Sequence, residues 1–144
     1  MSSFHKVKVE IRDQRALAAA LGQMYDGAVE SHDQAVELVN AWGKGHGVST
    51  AEVVVRSAAL IDKHGGYRRS DLGFKRQEDG TFALQVNDMD ARTFDQKWLG
   101  QVKTKVGINK TIRLAKMQYG CSNPQIVEKT VNGKKQTVVT FSMS

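Results

Sequence analysis

Apolar and polar residues alternate almost from the start of the chain: Val7, Val9 and Ile11 are interleaved with Lys6, Lys8, Glu10 and Arg12. A period of two predicts a half-buried strand. Asp13 then stands where a helix N-cap belongs, and Leu17, Leu21 and Met24 fall on one face of a helix from about Gln14 to Tyr25. The following DGAVESHDQ (26–34) is rich in turn formers and predicts a loop. AVELVNAW spaces Val36, Leu38 and Trp42 evenly and predicts a second strand. The β-branched TAEVVVRSAALI predicts a third, ended by the turn HGGYRR. DLGFKR and TFALQVN flank QEDG as a hairpin, with Leu72 and Phe74 facing Phe82, Leu84 and Val86.

From about Arg92 the period becomes helical. Phe94, Trp98, Val102 and Val106 recur every four residues. Ile108, Ile112, Ala115 and Tyr119 form a second stripe, rotated by roughly a quarter turn at about 100° per residue. Gly107 sits between the stripes, which predicts a break or bend, and Gly120 is a helix stop. In the closing PQIVEKTVNGKKQTVVTFSMS, Asn132-Gly133 is a strong hairpin signal. The order of elements predicts one α+β domain over residues 1–144. Its sheet is mainly antiparallel, with helices packed on one face and a C-terminal β-hairpin.

Composition changes this picture little. A chain of 144 residues with 40 % hydrophobic and 25 % charged side chains is one globular domain's worth of core. No apolar run has the length of a membrane span, and MSSFHKVKVEIRD contains no apolar signal region. The single cysteine, Cys121, leaves no partner for an internal disulfide and fits a reducing compartment. Together these predict a cytoplasmic protein with no membrane partner.

Charge says more. The net charge is +6, yet residues 97–135 hold nine Lys/Arg against one acid, while the first 96 residues hold twelve Lys/Arg against fourteen Asp/Glu. A one-signed face attracts and steers anions. The same run also reads as a solvated, lysine-rich helix face.

Candidate chemistry is sparse. GKGHG (43–47) lacks the Ser or Thr beside Lys44 and the following helix that a phosphate loop needs, and it lacks the spacing of a dinucleotide fingerprint. It reads as a connection between strands, with Lys44 and His46 as anion contacts on an exposed loop. The four histidines are scattered and lack zinc-ligand spacing. Cys121 has no histidine nearby in sequence and reads as a small hydrophobe. The acids of NDMDARTFD are assigned to helix capping, with Asp90 or Thr93 at the N-cap, rather than to a cation. No nucleophile elbow or paired-carboxylate pattern is legible, so neither catalytic residues nor a cofactor are predicted. HGGYRRSDLGFKR interleaves aromatics with arginines, an arrangement that stacks bases while neutralising phosphates. Tyr67, Arg68, Arg69, Lys103, Lys110 and Arg113 therefore join Lys44 and His46 as candidate ligand-binding residues, with Tyr67 and Arg69 as a stacking or clamping pair.

Several segments resemble one family. MSSFHKVKVEIRDQRALAAAL, STAEVVV, DLGFKRQEDGTFALQVND and FDQKWLGQVKTKVG are similar, in order, to the hypothetical chloroplast reading-frame thirty-five family of uncharacterised plastid, cyanobacterial and phage proteins. The specific motifs are the S-x-F-x-K-[IV]-K opening and a TAEVV strand followed by a DLGFK hairpin. The chain departs from that pattern with longer material around 26–41 and 57–66. The resemblance implies an α+β fold, a non-exported protein, no catalytic residues to carry over, and an accessory role beside a AAA-type ATPase; a phage or bacterial source is a guess beside it. Two functions follow. One is a non-enzymatic binding module for a phosphate-bearing ligand, a nucleotide signal or nucleic acid. The alternative is a protein–protein adaptor of a AAA-type ATPase, with exposed strand edges that allow homo-oligomers.

Overall fold

The computed structural model describes residues 3–43, 48–119 and 122–142. It is an α+β protein whose main sheet has five antiparallel strands. The elements are β1 (Phe4–Val9), α1 (Gln14–Met24), β2 (Glu30–Glu37), β3 (Thr50–Val55), α2 (Ser57–His64), β4 (Leu72–Arg76), β5 (Phe82–Asn87), a 3₁₀ turn (Asp88–Asp90), α3 (Gln96–Tyr119), β6 (Ser122–Val131) and β7 (Lys134–Ser142). Spatial order in the sheet is β1-β5-β4-β3-β2, and β6 and β7 pair as a separate two-stranded sheet. Asn132 and Gly133 both take positive φ at the turn joining that pair, as a tight hairpin requires. Among the described residues, no helix is long and apolar enough to cross a membrane.

One face of the sheet carries the core. The register pairs Phe74 with Leu84 and Val7 with Leu84, so alternate residues of β1, β5 and β4 turn toward the helices. Leu17 and Leu21 of α1, Leu60 of α2, and Trp98, Val102 and Val106 of α3 close over Val53, Val55, Phe74, Phe82 and Leu84. Phe74 and Phe82 are fully buried, and each contributes about 1.5–3 kcal/mol by leaving water. On the other face, Leu38 lies against Gly73, whose lack of a side chain makes room: a Cβ there would meet the Ala51 Cβ at 2.5 Å. Ala51 and Val54 complete a small second cluster there, with Phe4 and Val36 packed against it.

Four local expectations are corrected. The loop expected at 26–34 is largely β2, an edge strand, with a register shift between Ser31 and Val36. Its solvated positions lack the alternation that marks a strand. Leu38 and Trp42 lie beyond the end of β2. TAEVVVRSAALI is half strand and half helix, because α2 begins at Ser57. That helix gets its cap from afar: Asp71 accepts from the Ser57 N–H at 2.9 Å and from Arg56 at 2.8 Å. Finally, α3 runs unbroken through Gly107, and Asp95 rather than Asp90 or Thr93 accepts from the Trp98 N–H at its start. At the other helix, Asp13 caps α1 as expected, accepting from the Ala16 N–H at 3.0 Å.

Candidate functional site

The structure separates the residues that the sequence grouped. Tyr67 is 89 % exposed. Arg69 turns inward, with a side chain only 12 % exposed. Its guanidinium donates to Asp90 at 3.1 Å, to Thr93 at 3.2 Å and to the Gly65 carbonyl at 2.7 Å. Asp90 also accepts from the Ser70 N–H at 3.2 Å. Arg69 thus ties the α2–β4 connection to the entry of α3, and it does not clamp with Tyr67. Arg68 donates to the Ala41 carbonyl at 2.8 Å and lies over the Trp42 ring at 4.6 Å, which fastens two loops together. Lys44, His46 and Cys121 lie outside the described residues. β2 and β3 are antiparallel neighbours, and a strand rather than a helix follows the GKGHG segment.

Lys103, Lys110 and Arg113 do come together, on α3. Seven residues at about 100° each bring Lys103 and Lys110 within about 20° of one another around the helix axis. Gly107 lies between them with open space where a Cβ would stand. The result is a cleft of about 410 Å³ whose far wall is the β1–α1 connection, Glu10 to Asp13. Lys105 projects at about 200° from Lys103, on the far side of the helix. The basic run is therefore not one face; its anion-attracting part is narrower than its length in sequence.

The narrow face is completed from elsewhere in the chain. Arg12 stands at the mouth of this cleft, and beyond Asp13 a second groove of about 340 Å³ runs between α1 and α3. That groove is lined by Arg15, Arg113 and Lys116 together with Ile112 and Met117, and holds no carboxylate. Asp13 divides the two. It is ion-paired to Arg113 while capping α1, and hydrogen bonding from Arg113 holds its carboxyl below the ordinary value of 3.8. The negative charge of Asp13 is thereby already neutralised, leaving Arg12, Lys103, Lys110, Arg15 and Lys116, against Glu10 on the wall of the first cleft, to set the potential. Arg12 and Arg15 were absent from the candidates, although Arg12 was visible as a polar position of the first alternating strand.

No family model, curated protein or solved structure matches the chain. Among the described residues there is no cluster of three or more histidine, cysteine or carboxylate side chains suited to a metal ion.

Proposed function

We propose that this protein is a non-enzymatic binding module for a phosphate-bearing ligand, and that nucleic acid fits the surface better than a free nucleotide. The carrying observation is the pair Lys103 and Lys110 flanking Gly107 across from Arg12, in a cleft that continues past Asp13 into a second basic groove. An enclosed nucleotide pocket would bring an aromatic ring to the basic side chains. Tyr67, the exposed aromatic of the arginine-rich turn, lines neither cleft. Shallow, elongated and basic surfaces suit a polymer whose phosphates repeat.

Titration of a fluorescein-labelled oligonucleotide by anisotropy tests this reading. K103E/K110E weakens binding by about tenfold, about 1.4 kcal/mol for two exposed contacts. Wild-type affinity falls steeply as salt rises from 50 to 200 mM. Equal affinities for the variant and the wild type, or an affinity insensitive to salt, defeat the proposal.

A second reading, docking on an acidic protein such as a AAA-type ATPase, is favoured by Leu114 and Met117. These apolar side chains of α3 are 48 % and 76 % exposed beside the basic groove. Under that reading the charge-reversed protein loses a co-purifying partner and shows no change with oligonucleotides.

A further inference from the structure

The face of the sheet opposite the helices carries a second basic trough. Alternation along β1 turns Val7 and Val9 toward the core, which sends Lys6 and Lys8 to the open side. Register then places Lys8, Ala83 and Lys75 in one row across β1, β5 and β4. Between two lysines the row has only a methyl group at its centre. The trough so formed has a volume of about 630 Å³ and includes Lys6 and the β4–β5 turn, Gln77 to Asp79. Of its two carboxylates, Glu78 and Asp79, the second is engaged: Asp79 accepts from the Thr81 N–H and hydroxyl at 3.0 and 2.6 Å and lies 3.7 Å from Lys8. Lys75 donates to Thr50 at 2.9 Å.

The two basic clefts meet at one residue. Arg12, at the mouth of the helix-side cleft, donates to the backbone carbonyl of Asp79, which lines the sheet-side trough, at 2.5 Å. The exposed guanidinium therefore bridges Lys103 and Lys110 on one side to Lys8 and Lys75 on the other, around the rim of the domain. Seven cations and four carboxylates line the joined clefts.

We infer that the ligand is single-stranded nucleic acid that passes round this rim, its phosphates contacting Lys103 and Lys110, then Arg12, then Lys8, Lys6 and Lys75. The inference rests on the phosphate-binding reading above and deepens it. A duplex cannot take this path, because double-stranded DNA is stiff over about 150 base pairs and sharp bending costs several kcal/mol. A single strand turns freely between nucleotides. No aromatic side chain lines the trough, so recognition is of backbone rather than base and carries no sequence preference.

The test compares labelled single-stranded dT20, labelled dT5 and a labelled 20-base-pair duplex, by anisotropy between 50 and 200 mM NaCl. It uses wild type, K6Q/K8Q, K75Q and K103Q/K110Q, each checked by circular dichroism. About six phosphate contacts, from five lysines and Arg12, give a log–log salt slope of about −4.2 for dT20, at about 0.7 per contact on single strands. K6Q/K8Q makes the dT20 slope shallower by about 1.4, and K75Q by about 0.7, while both leave the duplex unaffected. Wild-type dT5, too short to span both clefts, shows a shallower slope than dT20. If K6Q/K8Q and K75Q bind dT20 with wild-type affinity and slope while K103Q/K110Q binds it weakly, the path round the rim is wrong and the helix-side site stands. If wild type binds none of the three probes at 50 mM NaCl, both readings fall together.

Discussion

Tyr25→Phe isolates one buried polar linkage. The Tyr25 hydroxyl accepts from the Trp98 indole N–H at 3.1 Å and bonds His64 Nε2 at 2.7 Å, joining the ends of α1 and α2 to the start of α3. Tyr25 is 2 % exposed and Trp98 5 %. The hydroxyl still has its own proton to give, and donates it to His64 in the tautomer whose Nε2 is bare. Burial pushes the phenol up to about 12, so it stays protonated and able to donate at any physiological pH. Removing the oxygen leaves ring packing unchanged but orphans the indole N–H, a loss of about 1–3 kcal/mol for a buried donor. His64, at a partly exposed position, regains water and adds only a few tenths. The expected destabilisation is about 2 kcal/mol, or a Tm lower by about 4–8 °C for a chain of this size. Urea unfolding followed by tryptophan fluorescence should show a lower midpoint at constant slope. A midpoint within about 0.3 kcal/mol of wild type would refute the reasoning, since it would mean the hydroxyl contributes nothing to holding the three helices.

Three further outcomes follow from particular residues. Burial, and then the nearby Arg69 charge, lower His64 from its ordinary value of 6.5, so stability is complete above pH 6.5. It is lost as pH falls from there through the folded-state value; H64Q should flatten that segment of the stability–pH curve, and an unchanged slope would disprove the assignment. Gly73→Ala forces a Cβ to within 2.5 Å of Ala51 and 3.1 Å of Leu38; a loss of about 1–3 kcal/mol in thermal unfolding is expected, and wild-type stability would contradict the packing described. Asp13→Ala removes a helix cap, costing about 1 kcal/mol, but frees Arg113; thermal melting should drop while oligonucleotide affinity rises, and weaker binding would argue against the electrostatic reading of the surface.

Much of this architecture was legible because its causes are local. The alternation of Val7 and Val9, the Asp13 cap and the Phe74/Leu84 pairing all lie within a few residues of the elements they specify. The α2 helix was illegible because its cap, Asp71, comes from 14 residues downstream. β2 was hidden because an edge strand facing water keeps few apolar positions. At the site, Lys103 and Lys110 stood out as part of a charge run. Arg69 read as a free cation because its partner, Asp90, is 21 residues away and buried. Lys6, Lys8 and Arg12 were visible only as the polar half of a strand; that they meet Lys75 and Asp79 is a matter of register, which no local pattern encodes.

The unbroken passage of α3 through Gly107 has a dynamic consequence. Among the described residues its contribution to the main core ends at Val106, with only Ala115 buried beyond it, and the remaining 13 residues of the helix span about 20 Å. Amide exchange should therefore be slow over the turns around Trp98 and Val102 and grow faster beyond Gly107, where opening exposes less apolar surface. Lys110, Arg113 and Lys116 all sit on that faster half. A bound polyanion would slow exchange there first, so the gradient of protection along a single helix becomes a reporter of occupancy.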